Sequence, residues 1–136
     1  MTLQYHPKRG TIVICDFLGF SSPEMTKRRP VIVVSPQISN RVGLCTIVPL
    51  STTTPEKIMP YHYYLEIRPL LPPPYNSPFH WVKADMLYTM SLKRLSFPFL
   101  DNKGSGGKRR YDLRVLPEEI IQNIEKCILH GLGITY

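Results

Sequence analysis

The chain has 136 residues, of which 43% are apolar and 20% charged, a balance that predicts one globular domain over residues 1–136 and excludes a disordered chain. Seventeen basic and ten acidic residues give a formal charge of +7, which favours a polyanionic partner such as nucleic acid. The three cysteines are odd in number, far apart and set in apolar runs, so they indicate small buried side chains rather than a disulfide framework.

The N-terminal segment, residues 1–9, lacks the long apolar core of a signal peptide. No later stretch reaches the length that a membrane-spanning helix requires. We therefore expect a cytoplasmic protein that does not bind a membrane.

Three short strands are predicted in the first half of the chain, over residues 11–17, 30–35 and 44–50. Glu24 lies five residues before Arg29, which stands with Pro30 at the start of the second strand, and Ser51 and Thr52 follow the third. This pattern places an arginine and a carboxylate near the start of one strand and hydroxyl groups at the end of the next. Together such groups can bind and cleave a phosphodiester.

In the next segment, residues 61–67, successive side chains alternate between two faces, with the odd-numbered residues on one side and the even-numbered residues on the other. This alternation predicts a half-buried strand. Residues 69–78 contain five of the fourteen prolines, so they should form an irregular surface loop. A further strand is predicted over residues 81–89. In that strand Lys83 and Asp85 would share one face, where they form either an acid–base pair or a plain structural ion pair.

The glycine-rich, basic segment 101–110 predicts a flexible loop or hairpin tip, with a supplementary nucleic-acid contact as the alternative. It fails the pattern of a phosphate-binding P-loop, because Asn102 replaces the first glycine and Arg109 the required hydroxyl residue. From Pro117 onward, apolar residues recur every three or four positions. This spacing predicts one amphipathic helix that ends near Gly131.

The four histidines are scattered without the spacing of metal ligands, so we expect neither a metal nor another cofactor. His62 and Trp81 are aromatic side chains that could stack on unpaired bases, although each could equally cover or anchor the sheet.

The order of these motifs resembles the MazF/PemK family of toxin ribonucleases. The segments that carry the resemblance are Gly10–Phe17, Lys27–Pro36, Gly43–Thr52 and Val82–Thr89. The resemblance implies an α+β, mainly β fold of the CcdB/PemK type, namely a small, partly open, SH3-like antiparallel barrel with a C-terminal helix.

The same resemblance implies a set of site residues. Arg29 would stabilise charge on the phosphoryl oxygens, and Ser51 stands where the family usually has a catalytic threonine. The predicted catalytic residues are Arg29, Ser51, Thr52, Glu24 and Asp85, and the predicted RNA-binding residues are Lys27, Arg28, Lys83, His62, Trp81, Lys108 and Arg109.

A family member would be a metal-independent, sequence-specific endoribonuclease that cuts single-stranded RNA by attack of the 2′-oxygen. The resemblance further implies a homodimer and an antitoxin whose acidic or disordered tail occupies the RNA groove. Two alternatives share the fold: a non-catalytic RNA-binding relative, and a toxin that inhibits gyrase and cuts nothing.

Overall fold

The computed structural model describes residues 1–135 and consists of β-strands followed by one helix. Its regular elements are β1 (Ile12–Cys15), β2 (Arg29–Val33), β3 (Leu44–Ser51), β4 (His62–Glu66), β5 (Phe79–Lys83), β6 (Tyr88–Ser91), β7 (Leu95–Ser96), β8 (Phe99–Asp101), β9 (Arg110–Tyr111) and α1 (Glu118–Gly131). Short 3-10 turns lie at Leu92–Arg94 and Ser105–Gly107.

Seven strands form one antiparallel sheet in the order β4-β5-β3-β2-β1-β7, with β6 paired to β3. The long strand β3 joins the two parts of the sheet: its first half pairs with β6 and its last two residues pair with β5. The sheet is open, since β4 and β7 lie at its two ends in the described residues. The prediction of a mainly antiparallel, partly open sheet with one C-terminal helix is confirmed.

The central strands are apolar at most positions because the sheet is covered on both faces. Val13, Val31 and Ile47 belong to a cluster on one face, whereas Ile12 and Ile32 belong to a second cluster with the helix residues Ile121, Ile124 and Cys127. Side chains alternate between faces along a strand, so two buried faces require a continuous apolar run. All three cysteines are buried and unpaired, as the sequence predicted.

Helix α1 begins directly after Pro117 and packs its apolar stripe on the second cluster. Glu118 and Glu119 occupy its first turn and His130 its last, the favourable arrangement for the helix dipole. Within residues 1–135, no helix combines the length and apolarity that crossing a membrane requires.

The prediction of one strand over residues 81–89 was wrong. Strand β5 ends at Lys83, a turn follows, and β6 begins at Tyr88. Asp85 lies in that turn, so the expectation that Lys83 and Asp85 share a strand face does not hold. The physical reason is tertiary: β5 pairs with the end of β3 and β6 with its beginning, so the chain must turn between them.

The basic segment 101–110 is the tip of a small hairpin, as one of the sequence readings proposed. Strands β8 and β9 pair with each other and not with the main sheet. We call residues 99–111 the arm.

Candidate active site

Strand pairing brings Arg29 and Ser51 together. In the antiparallel pair of β2 and β3, Val31 lies opposite Pro49, and the same register continued by two residues places Arg29 opposite Ser51. The Nη1 atom of Arg29 donates a hydrogen bond to the carbonyl oxygen of Leu50 at 3.3 Å. Arg29 and Ser51, which the sequence placed at the ends of neighbouring strands, therefore belong to one site.

These residues line a cleft of about 450 Å³, which we call the main cleft. Cations and hydroxyl groups dominate its lining, and none of its described lining residues is a carboxylate. The polar and charged members are Lys27, Arg28, Arg29, Ser51, Thr52, Thr53, Tyr75, Ser77 and His80. Such a lining favours an anionic ligand that can accept hydrogen bonds, such as a phosphodiester.

The guanidinium of Arg29 is partly buried and incompletely bonded. Its Nε atom is buried without a hydrogen-bond partner among residues 1–135. Burial lowers the pKa of Arg29 from its ordinary value, and the nearby Tyr88 raises it by a smaller amount. An unpaired buried donor costs about 1–3 kcal/mol, so a phosphate oxygen that accepts its hydrogen bond would bind favourably.

The hydroxyl of Ser51 is held in a fixed position at the end of β3. Its side chain is only 7% exposed, and its Oγ atom accepts a hydrogen bond from the backbone N–H of Thr53 at 3.1 Å. A hydroxyl that accepts this bond still has its own hydrogen to donate. Thr52, the neighbouring residue in the lining, is exposed.

The proline-rich loop and the start of β5 contribute a wall that the site assignment from sequence missed. Tyr75, Ser77 and His80 line the main cleft. The Nε2–H of His80 lies 2.9 Å from the Ser77 carbonyl oxygen, which accepts its hydrogen bond. Burial lowers the pKa of His80, although the bond to Ser77 opposes this, and the lower pKa favours the neutral ring. In the sequence, Tyr75 and His80 are among the aromatic residues that close the proline-rich loop and could receive unpaired bases, and this was the signal for the wall.

Glu24 does not line the main cleft in this structure. Its carboxylate accepts a hydrogen bond from the backbone N–H of Ser21 at 3.1 Å, and the side chain is exposed. The loop that carries it continues into Lys27 and Arg28, which do line the cleft.

Four of the predicted residues lie elsewhere on the sheet. His62 pairs with Lys83 across β4 and β5, and Trp81 lies beside His62 with their ring centroids 6.3 Å apart. Asp85 is exposed in the turn after β5, where its backbone packs against Gly131 of α1. None of the four lines the main cleft. Lys108 and Arg109 lie on the arm, and Arg109 lines a second cleft next to the first.

Known structures share this fold. The crystal structure of MazF from Deinococcus radiodurans matches 96% of this chain and 100% of its own, with a TM-score of 0.66 and 21% identity. An endoribonuclease in complex with its cognate antitoxin, from a mycobacterial species, matches 96% of this chain and 98% of its own, with a TM-score of 0.61 and 21% identity.

Sequence comparisons also identify relatives of this chain. An uncharacterised protein from Haemophilus influenzae is 25% identical over 97% of this chain and 94% of its own length. Residues 8–130 match the PemK-like, MazF-like toxins of type II toxin–antitoxin systems. With its open antiparallel sheet and its arginine and serine at neighbouring strand ends, the chain belongs to this toxin family.

Proposed function

We propose that this protein is a sequence-specific endoribonuclease that cleaves single-stranded RNA without a metal ion, as the toxin of a type II toxin–antitoxin pair. One observation carries the proposal: Arg29 and Ser51 face each other in a cationic cleft whose described lining contains no carboxylate. Family membership supports the toxin class.

In the proposed reaction the ribose 2′-oxygen attacks the adjacent phosphorus and the bond to the 5′-oxygen breaks. The products are a 2′,3′-cyclic phosphate on the upstream strand and a free 5′-hydroxyl on the downstream strand. Arg29 would bind the phosphoryl oxygens through its guanidinium, and Ser51 would donate its hydroxyl hydrogen to one of them. Both contacts strengthen as negative charge grows on those oxygens in the transition state.

The reaction also needs one group to accept the 2′-proton and one to protonate the leaving oxygen. We assign the first role to Glu24, whose loop continues into the cleft residues Lys27 and Arg28. Its carboxylate accepts the Ser21 N–H outside the main cleft, so this role requires the side chain to turn toward the bound RNA. Asp85 stays the second proposed carboxylate, but its position in the turn after β5 requires RNA to extend beyond the main cleft.

The residue types in the cleft support the metal-free route. Mg²⁺ binds carboxylate and phosphate oxygens in nuclease sites. The described lining supplies cations in place of carboxylates, so Arg29, Arg28 and Lys27 would neutralise the phosphate charge.

We also propose that the protein forms a homodimer in the cytoplasm and is inhibited by an antitoxin with an acidic or disordered tail. The mycobacterial endoribonuclease structure, solved with its cognate antitoxin, supports the antitoxin partner. A net charge of +7 favours an acidic tail that competes with RNA for the cationic cleft.

A non-catalytic RNA-binding protein is the second candidate function. One observation favours it: none of the described residues that line the cleft is a carboxylate that could take the 2′-proton. Such a protein would bind RNA through the same cations without cutting it.

Incubation of a long single-stranded RNA with the purified protein in excess EDTA, followed by mapping of the new 5′ ends, tests the proposal. We expect discrete cuts by the wild type and a loss of at least about 100-fold in rate for Arg29→Ala, because a charge contact to the transition state is removed. Arg68→Ala is the matched control, since Arg68 is exposed, pairs with Glu66 and lies outside the main cleft.

Intact RNA after incubation with the folded, antitoxin-free wild type would contradict the nuclease proposal. RNA binding without cuts would select the second candidate. Cuts that appear only when Mg²⁺ is added would contradict the metal-free route.

A further inference from the structure

We propose that the groove between Arg28 and the arm is a second nucleotide site, which binds an unpaired base of the RNA strand beside the scissile phosphate. The inference rests on the proposed function, because that function makes single-stranded RNA the ligand.

The two clefts share lining residues. Arg28 and Tyr75 line the main cleft and also a second cleft of about 390 Å³, which we call the arm cleft. Both volumes lie in the range of about 300–1,000 Å³ that is typical of small-ligand sites. A strand whose phosphate lies at Arg29 can therefore continue past Arg28 without leaving a cationic surface.

The arm presents aromatic rings to this cleft. Phe99 and Tyr111 pack edge to face with ring centroids 5.9 Å apart, and both line the cleft. Phe99 is 43% exposed, and the guanidinium carbon of Arg109 lies 5.9 Å from its ring centroid. An exposed ring with an arginine beside it is the combination that stacks a base and holds its phosphate.

Charge distinguishes the arm cleft from the other large groove of the protein. The described lining of the arm cleft includes Arg28 and Arg109 but no carboxylate. The groove near α1 contains Arg68 and Arg114, yet Glu66 and Asp112 pair with them. Of these two grooves, only the arm cleft therefore leaves positive charge that a phosphate can bind.

Arg28 is available for such a contact. Its ion pair with Asp16 is long, at 3.6 Å, and both side chains are more than 40% exposed. Exposed pairs of this kind contribute little to stability, about 0–1 kcal/mol. A phosphate oxygen can replace the carboxylate at small cost.

The hairpin of the arm is held together by its own hydrogen bonds and ion pair. Arg110 forms a two-pronged ion pair with Asp101, which also accepts the backbone N–H of Lys103 at 2.9 Å. The Arg110 hydrogen bonds, with help from Lys103, lower the pKa of Asp101 to about 2, so the pair stays intact at neutral pH. At the base of the arm, the Asp112 backbone N–H donates to the Pro98 carbonyl oxygen at 2.8 Å. Arg109 takes no part in these bonds and stays available to the ligand.

The test uses a fluorescein-labelled, single-stranded RNA of about 12 nucleotides with random sequence and 2′-O-methyl groups, which block cleavage. Its affinity is measured by fluorescence anisotropy. We expect Phe99→Ala to weaken binding about tenfold, because the loss of one stacked base costs about that factor. Leu100→Ala is the matched control: Leu100 is an equally exposed apolar residue on the same strand and lines the other groove.

A second variant separates a phosphate contact from a general charge effect. Arg109→Gln should reduce the slope of log affinity against log salt by about 0.7, the value for one phosphate on a single strand. Lys103→Gln removes one charge from the same loop, outside the arm cleft, and should leave the slope unchanged. Thermal unfolding checks that all four variants fold.

Equal affinities for Phe99→Ala and Leu100→Ala, in folded proteins, would overturn the inference and leave the nuclease proposal intact. If the wild type binds this RNA but leaves an unmodified single-stranded RNA intact in EDTA, the nuclease proposal fails, and the Phe99 comparison still decides whether the site exists. A wild type that does not bind RNA would overturn both.

Discussion

Ser51 combines a structural hydrogen bond with a proposed chemical one. The Thr53 N–H holds the Ser51 oxygen at the end of β3, opposite Arg29. Because the backbone bond uses an oxygen lone pair, it orients the hydroxyl without consuming its hydrogen. The side chain is thus placed for donation to an oxygen held by Arg29.

Ser51→Ala should reduce the rate of RNA cleavage about 100- to 1,000-fold, the loss expected when one donor to the transition state is removed. Ser51→Thr keeps the donor and should stay within about tenfold of the wild type. Single-turnover cleavage of an RNA that contains the mapped cutting site gives both rates.

The alanine variant also loses the acceptor for the Thr53 N–H, so its free energy of unfolding should fall by about 0.5–1.5 kcal/mol. Urea titration checks that the protein is still folded at the assay temperature. A folded Ser51→Ala protein that cleaves as fast as the wild type would remove Ser51 from the proposed mechanism.

At the scale of elements, the turn between β5 and β6 meets the end of helix α1. A Cβ atom added at Gly131 would lie 2.9 Å from the Cα atom of Asp85. The backbone of this turn and the last helical residue therefore pack as closely as a glycine allows. Asp85 is in this way fixed by the helix rather than by a strand.

Gly131→Ala should lower the free energy of unfolding by about 1–3 kcal/mol, the usual cost of overpacking. Helix propensity alone predicts a higher free energy of unfolding for this variant, since alanine is favoured over glycine by about 1 kcal/mol in a helix. Gln122→Ala, at an exposed position of α1, is the control and should change stability by less than about 0.5 kcal/mol. Urea unfolding of both variants measures the difference, and an equal or higher stability for Gly131→Ala would contradict this close packing.

Across the whole molecule, ion pairs neutralise several basic side chains far from the main cleft. Arg9 pairs with Glu118 and Glu125, and Arg114 pairs with Asp112. Lys27 and Arg29 have no ion-pair partner among the described residues. The main cleft therefore keeps two cations, Lys27 and Arg29, whose charge no described carboxylate neutralises.

RNA binding should accordingly depend on salt with a slope of about −3 in log affinity against log salt, as about four phosphate contacts on a single strand predict. Lys27→Gln should make the slope shallower by about 0.7. Lys126→Gln removes the same charge from the exposed side of α1 and should leave the slope unchanged. Anisotropy titrations over a range of salt concentrations measure the slopes, and equal slopes for the two variants would place the phosphates away from Lys27.

Several features were readable from sequence because they depend on local patterns. The apolar runs and the change of period at Pro117 predicted the first four strands and the helix. The pairing of Arg29 with Ser51 was predictable too, since neighbouring antiparallel strands bring the start of one to the end of the next.

The rest was decided by contacts between residues distant in sequence. The wall with Tyr75 and His80 exists because β5 pairs with the last residues of β3. The same pairing forces the turn that removes Asp85 from a strand, while the register of β8 with β9 aims Phe99 and Arg109 at the arm cleft. The sequence by itself thus determined the family, the first four strands and the Arg29–Ser51 pair, whereas the tertiary structure divided residues 79–91 into two strands and decided which other side chains reach the clefts. The physical reason is that hydrophobic periodicity acts within a segment, but the lining of a cleft depends on which segments pack together.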